Sequence, residues 1–161
     1  MRLDAGYRDA MLTRISHTFI YVLDQDEALD FYVGTLGMVV HTDADLGAMR
    51  WLTVTLPDQP DLQVVLMRPG SPVHDDVTAE QIRELVAKGG GGGGLIFETD
   101  DCRATYERLR SAGVEFTQEP VERFYGTDCA LRDPFGNPIR FTQPPEGPIV
   151  VPSAEELSAG I

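Results

Sequence analysis

The chain is short of cysteine, of positive charge and of long apolar runs, and each shortage narrows what it can be. Cys102 and Cys129 are the only cysteines. Two are too few for a disulfide framework and are not spaced as a zinc site, so a reducing cytoplasm is the expected setting. Thirteen Lys and Arg stand against 26 Asp and Glu, a net charge of -13 with no basic block. That balance disfavours binding to nucleic-acid phosphates and to anionic membranes. No stretch approaches the roughly 20 apolar residues of a membrane-spanning helix, and the start, MRLDAGYRDAMLTRIS, lacks the roughly 7–15-residue apolar core of a secretion signal. The expected partners are small molecules and copies of the chain itself.

What is present is enough for a core: 42% of 161 residues are hydrophobic, with one Trp, five Tyr and seven Phe. ISHTFIYVLD (Ile15–Asp24) has the β-branched and aromatic content of a strand. DQDEALDFYVGTLGM follows with Leu29, Tyr32, Val33 and Leu36 at helical spacing and Gly37 as the stop. Strands are predicted at Val39–Thr42, Arg50–Leu56 and Leu62–Met67, which gives the order β-α-β-β-β. The second half repeats it: a strand at Leu95–Asp101, a helix at Cys102–Gly113, and strands at Val114–Pro120, Gly126–Asp133 and Asn137–Gln143, the last two joined by a DPFGN turn. An offset of 77 carries Asp24 onto Asp101 and Pro57 onto Pro134. The chain thus divides into a dispensable lead-in (1–11), a first module (12–70), a helical and glycine-rich linker (71–93), a second module (94–144) and a tail (145–161). In the linker the helix is expected to start at a Thr78 cap, and KGGGGGG to act as a flexible joint. In the tail, Ser153 and Glu156 have capping-box spacing.

Two such modules, with the strand-Asp-helix-FY-LG pattern of the first and the Asp-Pro-x-Gly-Asn turn of the second, resemble the vicinal oxygen chelate superfamily, which includes glyoxalase I, extradiol dioxygenases and bleomycin-resistance proteins. The resemblance covers roughly Leu12 to Pro144. It implies an α+β fold in which tandem βαβββ modules form incomplete barrels lining a cleft. It also implies, for the metal enzymes, one ligand on the first and last strand of each module, leaving open positions on a divalent ion for two substrate oxygens. Carried over, the first-module positions are His17 and Gln63, and the 77-residue offset places the second-module pair at Gly94 and Arg140. Glycine supplies no ligand and a guanidinium repels a cation.

Each candidate has a functional and an ordinary role. His17 shares a strand face with Phe19 and Tyr21, and serves as a ligand, a base or a hydrogen-bonding residue of an aromatic-lined cleft, or is structural. Gln63 orients an amide or hydroxyl, or is a solvated polar residue. Arg140 clamps a carboxylate or phosphate, or pairs internally with Glu98 on the same face. Trp51, Phe124 and Tyr125 are walls or lids, with core packing the competing role, strongest for Trp51. His41 and His74 have no partner at metal spacing and are expected at the surface. Two functions compete: a metal-free, dimeric binder of a small organic molecule, and a glyoxalase-type lyase or dioxygenase with a divalent metal at His17 and Gln63 completed by another ligand, such as Glu98 or a residue of a second subunit. A degenerate regulatory module is a third possibility.

Overall fold

The computed structural model describes residues 11–91 and 93–159; the expectation for the lead-in falls largely on residues outside that range. Strand β1 (His17–Tyr21) runs into helix α1 (Gln25–Leu29), which continues as a π-helical turn over Asp30–Thr35. The Asp24 carboxylate caps α1, accepting the backbone N–H groups of Asp26 and Glu27 at 2.9 Å each. Gly37, at φ 82°, ends the turn as expected. Strands β2 (Val39–Asp45), β3 (Arg50–Leu56) and β4 (Gln59–Met67) complete a sheet of order β1-β4-β3-β2, with β1 and β4 parallel.

After α2 (Asp76–Ala87) the pattern returns: β5 (Leu95–Glu98), α3 (Cys102–Ser111), β6 (Phe116–Arg123), β7 (Gly126–Arg132) and β8 (Pro138–Gln143), in a sheet of order β5-β8-β7-β6 with β5 and β8 parallel. Neither sheet closes into a barrel. Strand β6 accommodates Pro120 because it is the edge strand and its pairing with β7 shifts register between Gln118 and Val121, so the missing N–H leaves no ladder bond unmade.

With the first and third strands of each module aligned at an offset of 77, the last strand does not keep it. Thr18 pairs with Val64, and Leu95, its counterpart, pairs with Ile139. Val54 and Val64 are partners in the first hairpin, Leu131 and Ile139 in the second. The second hairpin is therefore two residues shorter, and the counterpart of Arg140 is Val65 rather than Gln63. The cause is an irregularity between β3 and β4, held by the Thr55 hydroxyl, which reaches the carbonyls of Gln59 at 2.6 Å and Leu62 at 2.9 Å.

Both modules bury their helix-side residues in one core that includes Ile20, Val22, Leu52, Val54 and Leu66 of the first and Cys129, Leu131, Ile139 and Phe141 of the second. The DPFGN turn ties them together. Asp133, nearly buried, accepts the backbone N–H groups of Phe135, Gly136 and Asn137 on one oxygen, and the Tyr32 hydroxyl at 2.7 Å and the Asn137 amide at 2.8 Å on the other. The Asn137 amide also donates to the Tyr21 carbonyl at 2.7 Å. Tyr32, α1 and β1 of one module are thereby pinned to the turn of the other.

The glycine run is more structured than a loose joint. Helix α2 is capped by Asp75, whose carboxylate accepts the Thr78 N–H at 2.8 Å, not by Thr78 as expected, so the helix begins three residues earlier. It ends in a Schellman motif: Gly89, at φ 75°, donates to the Val86 carbonyl and Gly90 to that of Leu85, both at 2.8 Å. A Cβ on Gly94 would lie 2.7 Å from the Pro138 carbonyl oxygen. Close approach of β5 to β8, rather than swivelling, requires glycine there.

Candidate functional site

Opposite the helices, the first sheet presents an aromatic face. His17 and Trp51 have ring centroids 6.0 Å apart, and Phe19 and Tyr21 meet edge to face at 5.2 Å. Phe19 is 51% exposed although it is a large apolar residue. Alternation along β1 causes this: Ile20 enters the core, and its neighbours must point away from it. Gln63 pairs with His17 in the strand register, and its carboxamide oxygen accepts the Thr53 hydroxyl at 2.8 Å. His74, expected at the surface, instead meets the Tyr21 hydroxyl through Nε2 at 2.8 Å. A turn in which Gly70 accepts the N–H groups of Val73 and His74 brings it there. Partial burial raises the Tyr21 phenol above its ordinary pKa.

The second sheet presents a mixed face centred on Arg140, with Ile96 exposed beside Glu98. Arg140 is paired, but with Asp128 of β7, not Glu98: Nε donates to Asp128 Oδ2 at 2.8 Å, Nη2 contacts the same oxygen, and Nη2 also reaches Gln118 at 3.5 Å. Asp128 is fully buried, so its carboxylate depends on the guanidinium, whereas exposed Glu98 is solvated without it. The hydrogen bond to Asp128 holds the Arg140 pKa above its ordinary value. Tyr125, half-buried, packs edge to face on Phe124 at 5.1 Å at the start of β7. A cavity of about 490 Å³ is lined by Ile96, Glu98, Tyr125, Arg140 and Thr142 together with Pro144 and Ile149 of the tail. A second, of about 600 Å³, is lined by Gln118, Phe124, Tyr125 and Arg140 with Pro152 and Leu157.

The expected site residues thus form two groups, His17, Trp51 and Gln63 on one sheet and Glu98, Phe124, Tyr125 and Arg140 on the other. Among the described residues no hydrogen bond or ring contact links them. Asp128, Gln118 and His74 are additions to the expected set. Sequence offered a signal only for Asp128, which alternates with Ala130 and Gly126 on β7.

The residues at the positions where the metal enzymes carry ligands make a poor donor set. Gln63 is engaged by Thr53, and Gly94 has no room for a side chain against Pro138. The counterpart of Gln63 by register is Pro138, and by the simple offset Arg140; neither donates to a cation. No group of three His, Cys, Asp or Glu able to hold a metal occurs among the described residues. These residues do not fit a family-type metal.

Fold and site together define a two-module sheet protein with an aromatic face on one sheet and a guanidinium-centred face on the other. The Glyoxalase/Bleomycin resistance protein/Dioxygenase superfamily profile matches residues 14–141, and the chain belongs to that family. It is 32% identical over 130 residues to the uncharacterized protein YurT of Bacillus subtilis (strain 168), covering 81% of this chain and 98% of that one. Among solved structures it resembles UcmS2, at 46% identity and a TM-score of 0.76, covering 82% of this chain and 98% of that chain. It also resembles TnmS3, an antibiotic binding protein from Streptomyces sp. CB03234, at 27% identity and a TM-score of 0.67, covering 84% and 98%.

Proposed function

We propose that this chain binds a small organic molecule, without a catalytic metal, between the aromatic face of one sheet and the Arg140 face of the other, as a homodimer in the cytoplasm. The observation that carries this is that each helix-free face holds binding chemistry: His17, Phe19, Tyr21 and Trp51 form a partly exposed aromatic set on one, and the other centres on a guanidinium whose charge is already balanced by buried Asp128. Aromatic rings supply flat apolar contact at low entropic cost. Because Asp128 offsets its charge, Arg140 acts as a directed hydrogen-bond donor more than as a net cation, which favours a neutral acceptor such as a carbonyl over a carboxylate. The description of TnmS3 as an antibiotic binding protein supports the same class of role.

Native mass spectrometry and elemental analysis of protein purified without chelator test both halves of the proposal. The expected result is an organic adduct and less than a tenth of an equivalent of Fe, Zn, Ni or Mn. Stoichiometric metal that disappears in His17→Ala would overturn the metal-free reading in favour of a lyase or dioxygenase.

A further inference from the structure

We propose that residues 144–159 form a strap across the helix-free face of the second sheet, and that Ile149, Pro152 and Leu157 contact the molecule bound there. This rests on the reading that the Arg140 face is a binding surface. The two cavities on that face share Arg140 and Tyr125 and differ in which part of the tail walls them: Pro144 and Ile149 on one side, Pro152 and Leu157 on the other. Between Ile149 and Pro152 the strap therefore passes over the Arg140–Tyr125 pair.

Its course is set where it leaves the sheet, and its far end is shaped locally. Strand β8 ends at Gln143, whose side chain accepts the Cys102 N–H at 3.0 Å. Gly126, at φ 130°, packs against the Gln143 carbonyl, and a Cβ there would stand 3.2 Å from the Pro144 Cα. At the far end a capping box closes helix α4 (Ala154–Ser158): the Ser153 N–H donates to the Glu156 carboxylate at 2.8 Å and the Glu156 N–H to Ser153 Oγ at 3.3 Å. Four prolines, at 144, 145, 148 and 152, stiffen what lies between.

The strap lies beyond residues 14–141, the part of the chain matched by the family profile. It is an addition to the shared fold, and it changes the chemistry of the face. The sheet contributes the polar groups of Arg140, Gln118 and Glu98 beside the single aliphatic side chain of Ile96; the strap adds further aliphatic side chains opposite them. Such a slot selects a molecule with an apolar body and a hydrogen-bonding edge.

The test uses the full chain and the neutral dye Nile red, by fluorescence titration and stopped-flow dissociation. Wild type is expected to bind the dye with a blue-shifted emission, and Tyr125→Ala to weaken it. Leu157→Ala and Ile149→Ala, each removing part of an aliphatic wall, should weaken binding about fivefold, mainly through faster dissociation. Val150→Ala, an exposed strap residue lining neither cavity, should leave it unchanged. Weakening by Tyr125→Ala with no effect of either strap variant would overturn the strap and leave the binding face standing. Tighter binding in Leu157→Ala would make the strap a cover, not a wall, and equally overturn it. No binding to wild type, or indifference to Tyr125→Ala, would remove the binding face itself and the strap with it. Unchanged melting temperatures in the variants exclude a folding effect.

Discussion

Asp128 is fully buried beside an Arg140 that is 37% exposed, and the two fates differ when one is removed. Deleting the guanidinium leaves a buried carboxylate whose remaining side-chain partner among the described residues is Gln118, 3.3 Å away. Arg140→Ala is expected to cost about 1–3 kcal/mol in urea unfolding, below the value for a wholly buried pair because water reaches the arginine side. Adding Asp128→Ala should recover part of the loss. Cys102 and Cys129 meet at 3.6 Å in the core. Burial pushes the Cys129 thiol up to about 12 and raises Cys102 as well. Both should resist Ellman's reagent until the protein unfolds. The folded state holds these protons where the unfolded chain releases them, so this contribution to stability is complete below about pH 9 and is lost as pH rises toward 12. Urea midpoints measured across that range should fall; a flat profile would contradict the burial. Neither arrangement was legible beforehand, because which carboxylate meets Arg140, and whether two cysteines 27 positions apart touch, depends on register across strands.

Elements were easier to read than contacts. Strand alternation, the Ser153 capping box and the glycine stops at Gly37 and Gly113 follow from local rules, and each reappears in the fold. The two-residue slip in the last strand does not, since the Thr55 hydroxyl creates it by bonding to backbone across the turn. Composition also misled at the glycines, where six in a row suggested slack although Gly89 holds a left-handed φ and Gly91 and Gly94 each face a neighbour too near for a side chain. Gly94→Ala, driven onto the Pro138 carbonyl, should cost about 2 kcal/mol, within the range for overpacking. Gly147→Ala, with nothing within 4 Å of the added carbon, should change the unfolding midpoint little. Equal effects at the two positions would refute the packing account.

At the scale of the whole chain, charge governs the proposed pairing. Two copies at -13 each repel one another over distances that salt screens, about 8 Å at physiological ionic strength. Sedimentation equilibrium is expected to show dimer affinity rising between 0.05 and 0.5 M salt, roughly tenfold if long-range repulsion dominates. Affinity falling with salt would indicate an interface held by opposite charges. The family was legible because its marks are concentrated: Asp24, Phe31, Tyr32, Leu36, Gly37 and the run from Asp133 to Asn137. Every one of them caps, turns, fills the core or, as with Tyr32 and Asp133, fastens one module to the other. None lies on the helix-free faces. The signature by which this chain declares its ancestry is joinery, and the carpentry is indifferent to what is later placed on the shelf. Such a frame can trade one chemistry for another at His17, Gln63 or Arg140 while its lineage stays readable.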